Sequence, residues 1–324
     1  MTITPRFTDL YISGQWQKAR SGKTFTTICP ITTDPIAEIA EADAAEVDLA
    51  VQAARTALTT GPWATMSAAA RGRLLWKIAD ELEARSEHLI NLETLDNGKP
   101  IFESKIDLYQ ALGVLRYFAG WADKIQGDTI PVEGNHLVYT RKEPVGVVGA
   151  IVPWNFPLLM AIWKIAPALC CGNTPGVDKI AFTGSTEVGR EIARRAADTL
   201  KRVTLELGGK SALVVLADAD LDAAMRGSLS GIFYGKGEVC AATSRLLVHS
   251  KVHDELLEKV VAKASRFAPA DPFNPKTRMG ALVSETQMNR VLRYIDTGKR
   301  EKANLVTGGG RADGLRGYFV QPTI

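Results

Sequence analysis

The spacing of apolar positions divides the chain into a helical first third and an alternating remainder. Residues 44–57, 68–85 and 103–124 each carry apolar side chains at three- and four-residue spacing, which predicts helices with one buried face. In the second of these, LLWKIADELEA sets Leu74, Ile78 and Leu82 on one face with charged residues opposite, a face that reads as core. DTIPVEG and HLVYTRKEP follow, and their partial alternation predicts a hairpin-like pair. Residues 145–152 then form a near-continuous apolar run, as expected of a strand covered on both faces, and lead through PWNFP into a helical stretch over 158–171. DKIAFTG predicts a strand and STEVGREIARRAADTL a helix that opens with capping residues. RVTLELGG and ALVVLA predict two more strands. After them come a helical stretch over 220–233, the strand SRLLVH, helices over 254–266 and 285–294, a strand at ANLVTGG and a final YFVQPTI. Strands and helices alternating in this way specify an α/β protein with mostly parallel sheets.

Composition narrows the picture further. A chain of 324 residues can bury one large core or two ordinary ones, and a hydrophobic content of 46% excludes a disordered chain. There are no repeats and no low-complexity segments. The formal charge of +3 is spread over interspersed acidic and basic residues, so neither a nucleic acid nor a membrane surface is implied as a partner. The longest apolar candidate, residues 145–168, is interrupted by Pro153, Asn155, Pro157, Lys164 and Pro167, unlike the run of about 20 residues that a membrane helix needs. MTITPRFTDLYISGQW lacks a basic start followed by an apolar core, so no secretory signal is expected and the expected location is cytoplasmic. Four cysteines, two of them the neighbours Cys170 and Cys171, make no disulfide framework. With His88, His136, His249 and His253 dispersed, no metal site is expected.

Four positions could carry chemistry, and each has a plainer reading beside the functional one. FTGSTEVG is a strand-to-helix turn in which Gly184 permits close backbone approach and Ser185 can donate to an anion, but a G-S-T turn is equally a helix cap. LELGG leaves Glu206 at a strand edge, where it could act as a general base or stand as a solvated side chain. The rigid PWNFP phrase could aim the Asn155 amide at developing negative charge, or Asn155 could cap the next helix. Cys240, in YGKGEVCAATSR, is by default a small buried side chain, with no histidine beside it to make a catalytic pair.

Taken together and in order, PWNFP, FTGST, LELGGKS and a cysteine followed by Ser-Arg entering a strand resemble the aldehyde dehydrogenase superfamily. ISGQW, LETLDNGKP, RYFAGWADKI, EPVGVVGAIVPWNFPL and KIAPALCCGNT extend the likeness over essentially the whole chain. CAATSRLLVH and MAIWKIAPAL are similar to the betaine aldehyde dehydrogenase branch. The resemblance implies a Rossmann-type cofactor domain over residues 1–128 and 142–206, an oligomerisation arm over 129–141, and an α/β catalytic domain over 207–324. It also implies a mechanism. The Cys240 thiolate attacks an aldehyde, the Asn155 amide and the Cys240 N–H hold the oxyanion, hydride leaves to a nicotinamide, and Glu206 activates the water that hydrolyses the thioester. The matching cofactor positions are Pro153, Trp154, Asn155, Thr183, Gly184, Ser185, Val188, Glu206, Leu207 and Gly208, and the cofactor is NAD or NADP, with NAD the family default.

The chain also departs from that family. CGNT runs straight into PGVDKIAF, where the family has a strand, a helix and the lysine-containing phrase that grips the adenosine ribose. A βαβ unit takes about 30 residues, so near 174–175 the dinucleotide fold is expected to lack much of its adenosine half. After FVQPTI the family continues with a ribose-binding glutamate, an active-site phrase and a terminal strand. Those parts are expected to be missing, leaving the arm with an exposed edge. Family members form homo-oligomers, an inference that the lost strand does not carry over to this chain. Gly235 and Gly237-Glu238 replace the family's asparagine and glycine-glutamine, and the Glu238 carboxylate, if close to the thiol, would disfavour the thiolate. Three activities are therefore weighed: aldehyde oxidation, a catalytically inactive relative, and thiol-dependent ester hydrolysis without cofactor.

Overall fold

The computed structural model describes residues 3–175 and 177–324; Met1 and Thr2 of the N-terminal phrase and Gly176 of the junction phrase lie outside the described residues. Two short antiparallel hairpins precede the first helix: β1 (Leu10–Ile12) with β2 (Gln15–Gln17), and β3 (Thr24–Ile28) with β4 (Pro35–Ala40). In ISGQW, Ser13 and Gly14 sit at φ 54° and 79°, the two-residue turn whose twist suits a hairpin. Reading the first third as mainly helical misses these strands, because pieces of three to six residues show too little alternation to register.

Four helices follow: α1 (Ala44–Thr59), α2 (Ala68–Ala84), α3 (Ser86–Asn97) and α4 (Ile101–Trp121). A capping box starts α1, with Ala45 N–H donating to Asp43 and Asp43 N–H donating to Glu46. α3 carries no clean apolar stripe and was not predicted; it ends at Gly98 in the left-handed region, φ 77°. The buried face of α2 centres on Leu75 and Ala79 rather than on Leu74, which is 37% exposed. LLW offers adjacent apolar residues, and packing against α4 decides which of them turns inward. The core there joins Leu75, Leu115, Leu159 and Ala166. Next come β5 (Thr129–Ile130) and β6 (Val138–Tyr139), the predicted hairpin, with Leu137 and Tyr139 largely exposed.

The main sheet is parallel. Its strands are β7 (Val147–Ile151), β8 (Thr174–Pro175), β9 (Lys179–Gly184) and β10 (Arg202–Leu207), in the order β10-β9-β7-β8. The linking helices are α5 (Pro157–Cys170) and α6 (Thr186–Ala197). Val148 pairs with Pro175 on one side and Lys179 on the other. At this tight crossing Asp178 Oδ2 accepts from Val147 N–H at 2.7 Å and pairs with Arg55 at 2.7 Å. Gly146 sits at φ 114° beside it, and any Cβ there would run into the Asp178 carboxylate.

A second parallel pair, β11 (Ala212–Val215) and β12 (Arg245–Val248), packs with α7 (Leu221–Phe233) and α8 (His253–Ala264) around Val215, Leu229, Phe233 and Leu256. α9 (Glu285–Arg300) covers a smaller cluster with Met288 and Val320. ANLVTGG forms no strand: Gly308 and Gly309 at φ 75° and 98° break the extended backbone. Val306 and Thr307 N–H instead meet Ile324 O, and YFVQPTI contributes one bridge, Val320 to Arg311. The four-stranded sheet and the β11-β12 pair nonetheless have the expected build of parallel strands joined by helices. Among the described residues no helix is long and apolar enough to cross a membrane.

Candidate active site

The carboxyl ends of β7, β9 and β10 lie side by side, with Ile151 opposite Phe182 and Leu207 opposite Gly184. Ligands of open parallel sheets bind beyond this edge, and it carries most of the predicted residues. Beyond β7, the PWNF turn leads into α5, whose Pro157 occupies the first helical turn without needing a hydrogen-bond donor. The cap position of α5 is Phe156, with no side-chain cap bond, so the capping reading of Asn155 does not hold. Asn155 Nδ2 instead donates to the Glu238 main-chain oxygen at 2.6 Å.

At the end of β9, Ser185 caps α6 by accepting from Val188 N–H at 3.2 Å, so the plain reading of that turn is correct. Its hydroxyl hydrogen remains available to an anion. Thr183 is buried and its Oγ1 has no partner among the described residues. Val188, on the first turn of α6, is exposed. At the end of β10, Glu206 is in register with Thr183 and exposed, Leu207 is half-buried, and beside Gly208 an added Cβ would meet only open space. Burial pulls the Lys164 ammonium on α5 below its ordinary range, while Glu206 is near enough to pull it upward.

The cysteine loop leaves α7 through three successive residues in the left-handed region, Gly235, Lys236 and Gly237, at φ 58°, 61° and 77°. Cys240 is exposed, unlike Cys29 and Cys170, so it is not the small buried side chain of the default reading. A Cβ at Gly209, three residues past Glu206, would stand 3.1 Å from the Cys240 carbonyl oxygen. The segments carrying Asn155, Glu206 and Cys240 therefore meet, although they come from different elements. Among the described residues Cys240 N–H has no acceptor. The Glu238 carboxylate is buried and faces Lys236 at 3.1 Å while accepting from Val283 N–H at 3.2 Å, so its charge is engaged in the interior and not by the exposed thiol.

Sequence reasoning missed the layer beneath. Lys236 Nζ donates to the main-chain oxygen and Oδ1 of Asn97 at 2.9 and 2.7 Å, and Asn97 Nδ2 donates to Trp154 O at 2.9 Å. Burial pushes Lys236 down and Glu238 up, each toward neutrality, against their mutual attraction. Lys99 is 2% exposed, bridges Glu93 at 2.8 Å and Asp107 at 2.7 Å, and lies 4.7 Å from the centre of the Phe156 ring. Burial works against its charge, yet the two carboxylates hold it above its usual range. Glu103 accepts from Gly235 N–H at 3.1 Å, and burial raises its carboxyl to about 7 against the pull of that N–H and of Lys236. The phrase LDNGKP was visible in the sequence but offered no sign that its Asn and Lys are buried.

Comparison with known proteins decides the family. The family model described as aldehyde dehydrogenase family matches residues 16–175 and again 174–324. The chain belongs to the aldehyde dehydrogenase family. The two matches meet at the junction where the sequence runs from CGNT into PGVDKIAF. Mitochondrial aldehyde dehydrogenase from Homo sapiens is 44% identical over 365 residues, covering 97% of this chain and 70% of its own. That span exceeds the 324 residues available here, so the relative carries residues inside it that this chain lacks. The NAD+ complex of aldehyde dehydrogenase from Bacillus cereus superposes with a TM-score of 0.94 at 41% identity, covering 98% of this chain and 74% of that one. Betaine aldehyde dehydrogenase from Staphylococcus aureus, also with NAD+, gives 0.93 at 32% identity over 98% and 73% of the two chains. Family membership thus stands without a lean toward betaine aldehyde. A mitochondrial relative also means that membership alone does not assign the cytoplasm.

Proposed function

We propose that this member of the family oxidises a small aldehyde to its carboxylic acid with NAD or NADP, using Cys240 as nucleophile, Asn155 as oxyanion donor and Glu206 as base. The observation that carries the reading is the Asn155 Nδ2 bond to Glu238 O, two residues before the exposed thiol. One amide hydrogen is fixed by that bond, and the other is free to donate. When Cys240 Sγ adds to an aldehyde carbon, the charge passing to the aldehyde oxygen meets this second hydrogen and the unpartnered Cys240 N–H. Glu206, exposed at the sheet edge, then takes the proton of the water that attacks the thioester carbon, which releases the acid and restores the thiol.

The dinucleotide supplies the acceptor for the two electrons that the aldehyde carbon loses. The buried, unpartnered Thr183 hydroxyl, the capped N-terminus of α6 and the open side of Gly208 fit the pyrophosphate and nicotinamide half of such a cofactor. Gly184, Ser185, Val188 and Leu207 would flank the first group, and Pro153 and Trp154 the second. A second reading, ester hydrolysis by Cys240 without cofactor, is favoured by the short junction at Thr174–Pro175, where the adenosine side of the cofactor fold is expected to be lacking. The domain limits at 128, 142 and 206 follow the same reading.

Purified protein is mixed with propanal or betaine aldehyde and NAD or NADP, and reduced nicotinamide is followed by absorbance, with Cys240→Ala as control. A cysteine-dependent signal supports the first reading and names the cofactor. p-Nitrophenyl acetate hydrolysis that is lost in Cys240→Ala, without any nicotinamide signal, selects the second. Neither activity in folded protein refutes both.

A further inference from the structure

We propose that Asn97 and Lys236 are positioning residues that lock the loop bearing Asn155 to the loop bearing Cys240. The contacts form a closed circuit. Lys236 Nζ reaches Asn97 twice, and Asn97 Nδ2 holds the carbonyl of Trp154. The next residue, Asn155, returns to the main chain of Glu238, whose carboxylate pairs with Lys236. The two loops are thereby joined twice, once by Asn155 itself and once through Asn97, which lies outside the reacting site.

The chemistry of Lys236 supports a holding role. An ammonium has three hydrogens, and three acceptors surround this one: Asn97 O, Asn97 Oδ1 and the Glu238 carboxylate. Two of its hydrogens go to Asn97 while the Glu238 carboxylate stands 3.1 Å away as an ion pair, and a side chain 2% exposed does not touch substrate. Lys236 also occupies the left-handed region, which costs a non-glycine residue energy and persists only where its surroundings hold it there. Asn97 is itself anchored. Gly98 beside it approaches Ala281 O so closely that a Cβ would stand 2.7 Å away, and Ala281 N–H donates to Gly98 O at 3.0 Å. An oxyanion donor helps only if it is held within a few tenths of an ångström of its productive position, and this circuit supplies that restraint.

The inference rests on Cys240 and Asn155 having the roles proposed above, and its test separates the two. Asn97→Ala cuts the ties to Trp154 O and to one Lys236 hydrogen. Should it not fold, Asn97→Asp keeps the acceptors for Lys236, loses the donor to Trp154 O and adds a negative charge facing Lys236. Three quantities are measured: p-nitrophenyl acetate hydrolysis, which develops an oxyanion; alkylation of Cys240 by iodoacetamide, which does not; and hydrogen exchange in peptides spanning 152–158 and 234–242. Leu256→Ala, in the separate core of the catalytic half, serves as a destabilised control. Asn97→Ala is expected to lower kcat for the ester about tenfold or more with KM changed less than about twofold. Alkylation is expected to hold nearly constant, and protection to fall in both peptides together. Leu256→Ala is expected to leave the ratio of the two rates unchanged. An unchanged ratio in Asn97→Ala, or loss of protection in only one peptide, overturns the proposal. If the parent protein shows neither ester hydrolysis nor aldehyde oxidation, the assigned chemistry fails, and the exchange data alone decide whether the two loops are held as one.

Discussion

Glu103→Gln tests the buried layer under the cysteine loop. The Glu103 carboxyl has its pKa raised from 4.5 to about 7, chiefly by burial, with Lys236, Lys99 and Asp107 as the charged groups around it. A carboxyl whose folded-state value lies above its unfolded value is tolerated best when protonated. Its full contribution is present below pH 4.5 and is lost as pH rises toward 7. Over that interval the parent loses about 1.4 kcal/mol per pH unit relative to a variant that cannot ionise there, which comes to roughly 2–3 kcal/mol between pH 5 and pH 8. Glutamine keeps an oxygen that can accept from Gly235 N–H, and any pH-independent cost cancels when the two proteins are compared across pH. Urea unfolding of parent and variant, followed by tryptophan fluorescence from pH 5 to pH 8, measures the difference. Glu103→Gln should gain on the parent steadily as pH rises. A difference that stays flat across this range, or that grows in favour of the parent, would refute the assignment of a neutralised carboxyl.

Three further outcomes follow from the same structure. Lys99→Met leaves Glu93 and Asp107 buried without their cation and should cost about 3–5 kcal/mol by urea unfolding at pH 7; a loss below about 1 kcal/mol would contradict a buried bridge. Asp178→Ala removes the acceptor for Val147 N–H and a half-exposed pair with Arg55, and should lower the melting temperature by a few degrees, for a cost of about 1–2 kcal/mol. Because the Arg55 guanidinium holds the Asp178 carboxyl below its usual range, this gap should narrow as pH falls through the acid range and should not narrow with rising pH. Asn155→Ala should slow Cys240-dependent ester hydrolysis about 10²- to 10³-fold while iodoacetamide alkylation of the same thiol continues; equal loss in both would mean that Asn155 shapes the loop instead of supporting charge.

What could be read from the sequence follows from the range of the interactions involved. β7 and β9 declare themselves as apolar runs and β10 by the apolar positions of RVTLEL, and α5 and α6 by the helical stretches that follow the first two, whereas the two-residue β8 left no signal. The Gly-Ser turn and the Glu-Leu-Gly-Gly end of β10 could be placed at the sheet's edge for the same reason. The order of motifs then brought Asn155 and Cys240 into one frame, which no single residue could do. Short hairpins in the first forty residues were missed because three-residue strands carry hardly any period. Leu74 was misplaced because a run of neighbouring apolar residues leaves the facing helix to choose. Asn97, Glu103 and Lys236 gave no sign of burial because Glu103 and Gly235 lie 132 positions apart and Asn97 and Lys236 139, and Lys99, although Glu93 and Asp107 lie only 6 and 8 positions away, carries no local mark that all three turn inward.

The circuit between Asn97 and Lys236 joins residues 139 positions apart, whereas β9 and β10 pair Thr183 with Glu206 within one strand-helix-strand unit. Contacts of short separation form early in folding, while long-range closures must wait until the chain is already compact. The sheet is thus built from local pairings, and the locking of the two loops comes after it. A brief opening of the native protein reverses that order, keeping the sheet while parting Asn155 from Cys240. The site is therefore expected to be assembled after the sheet that carries it and to part before it.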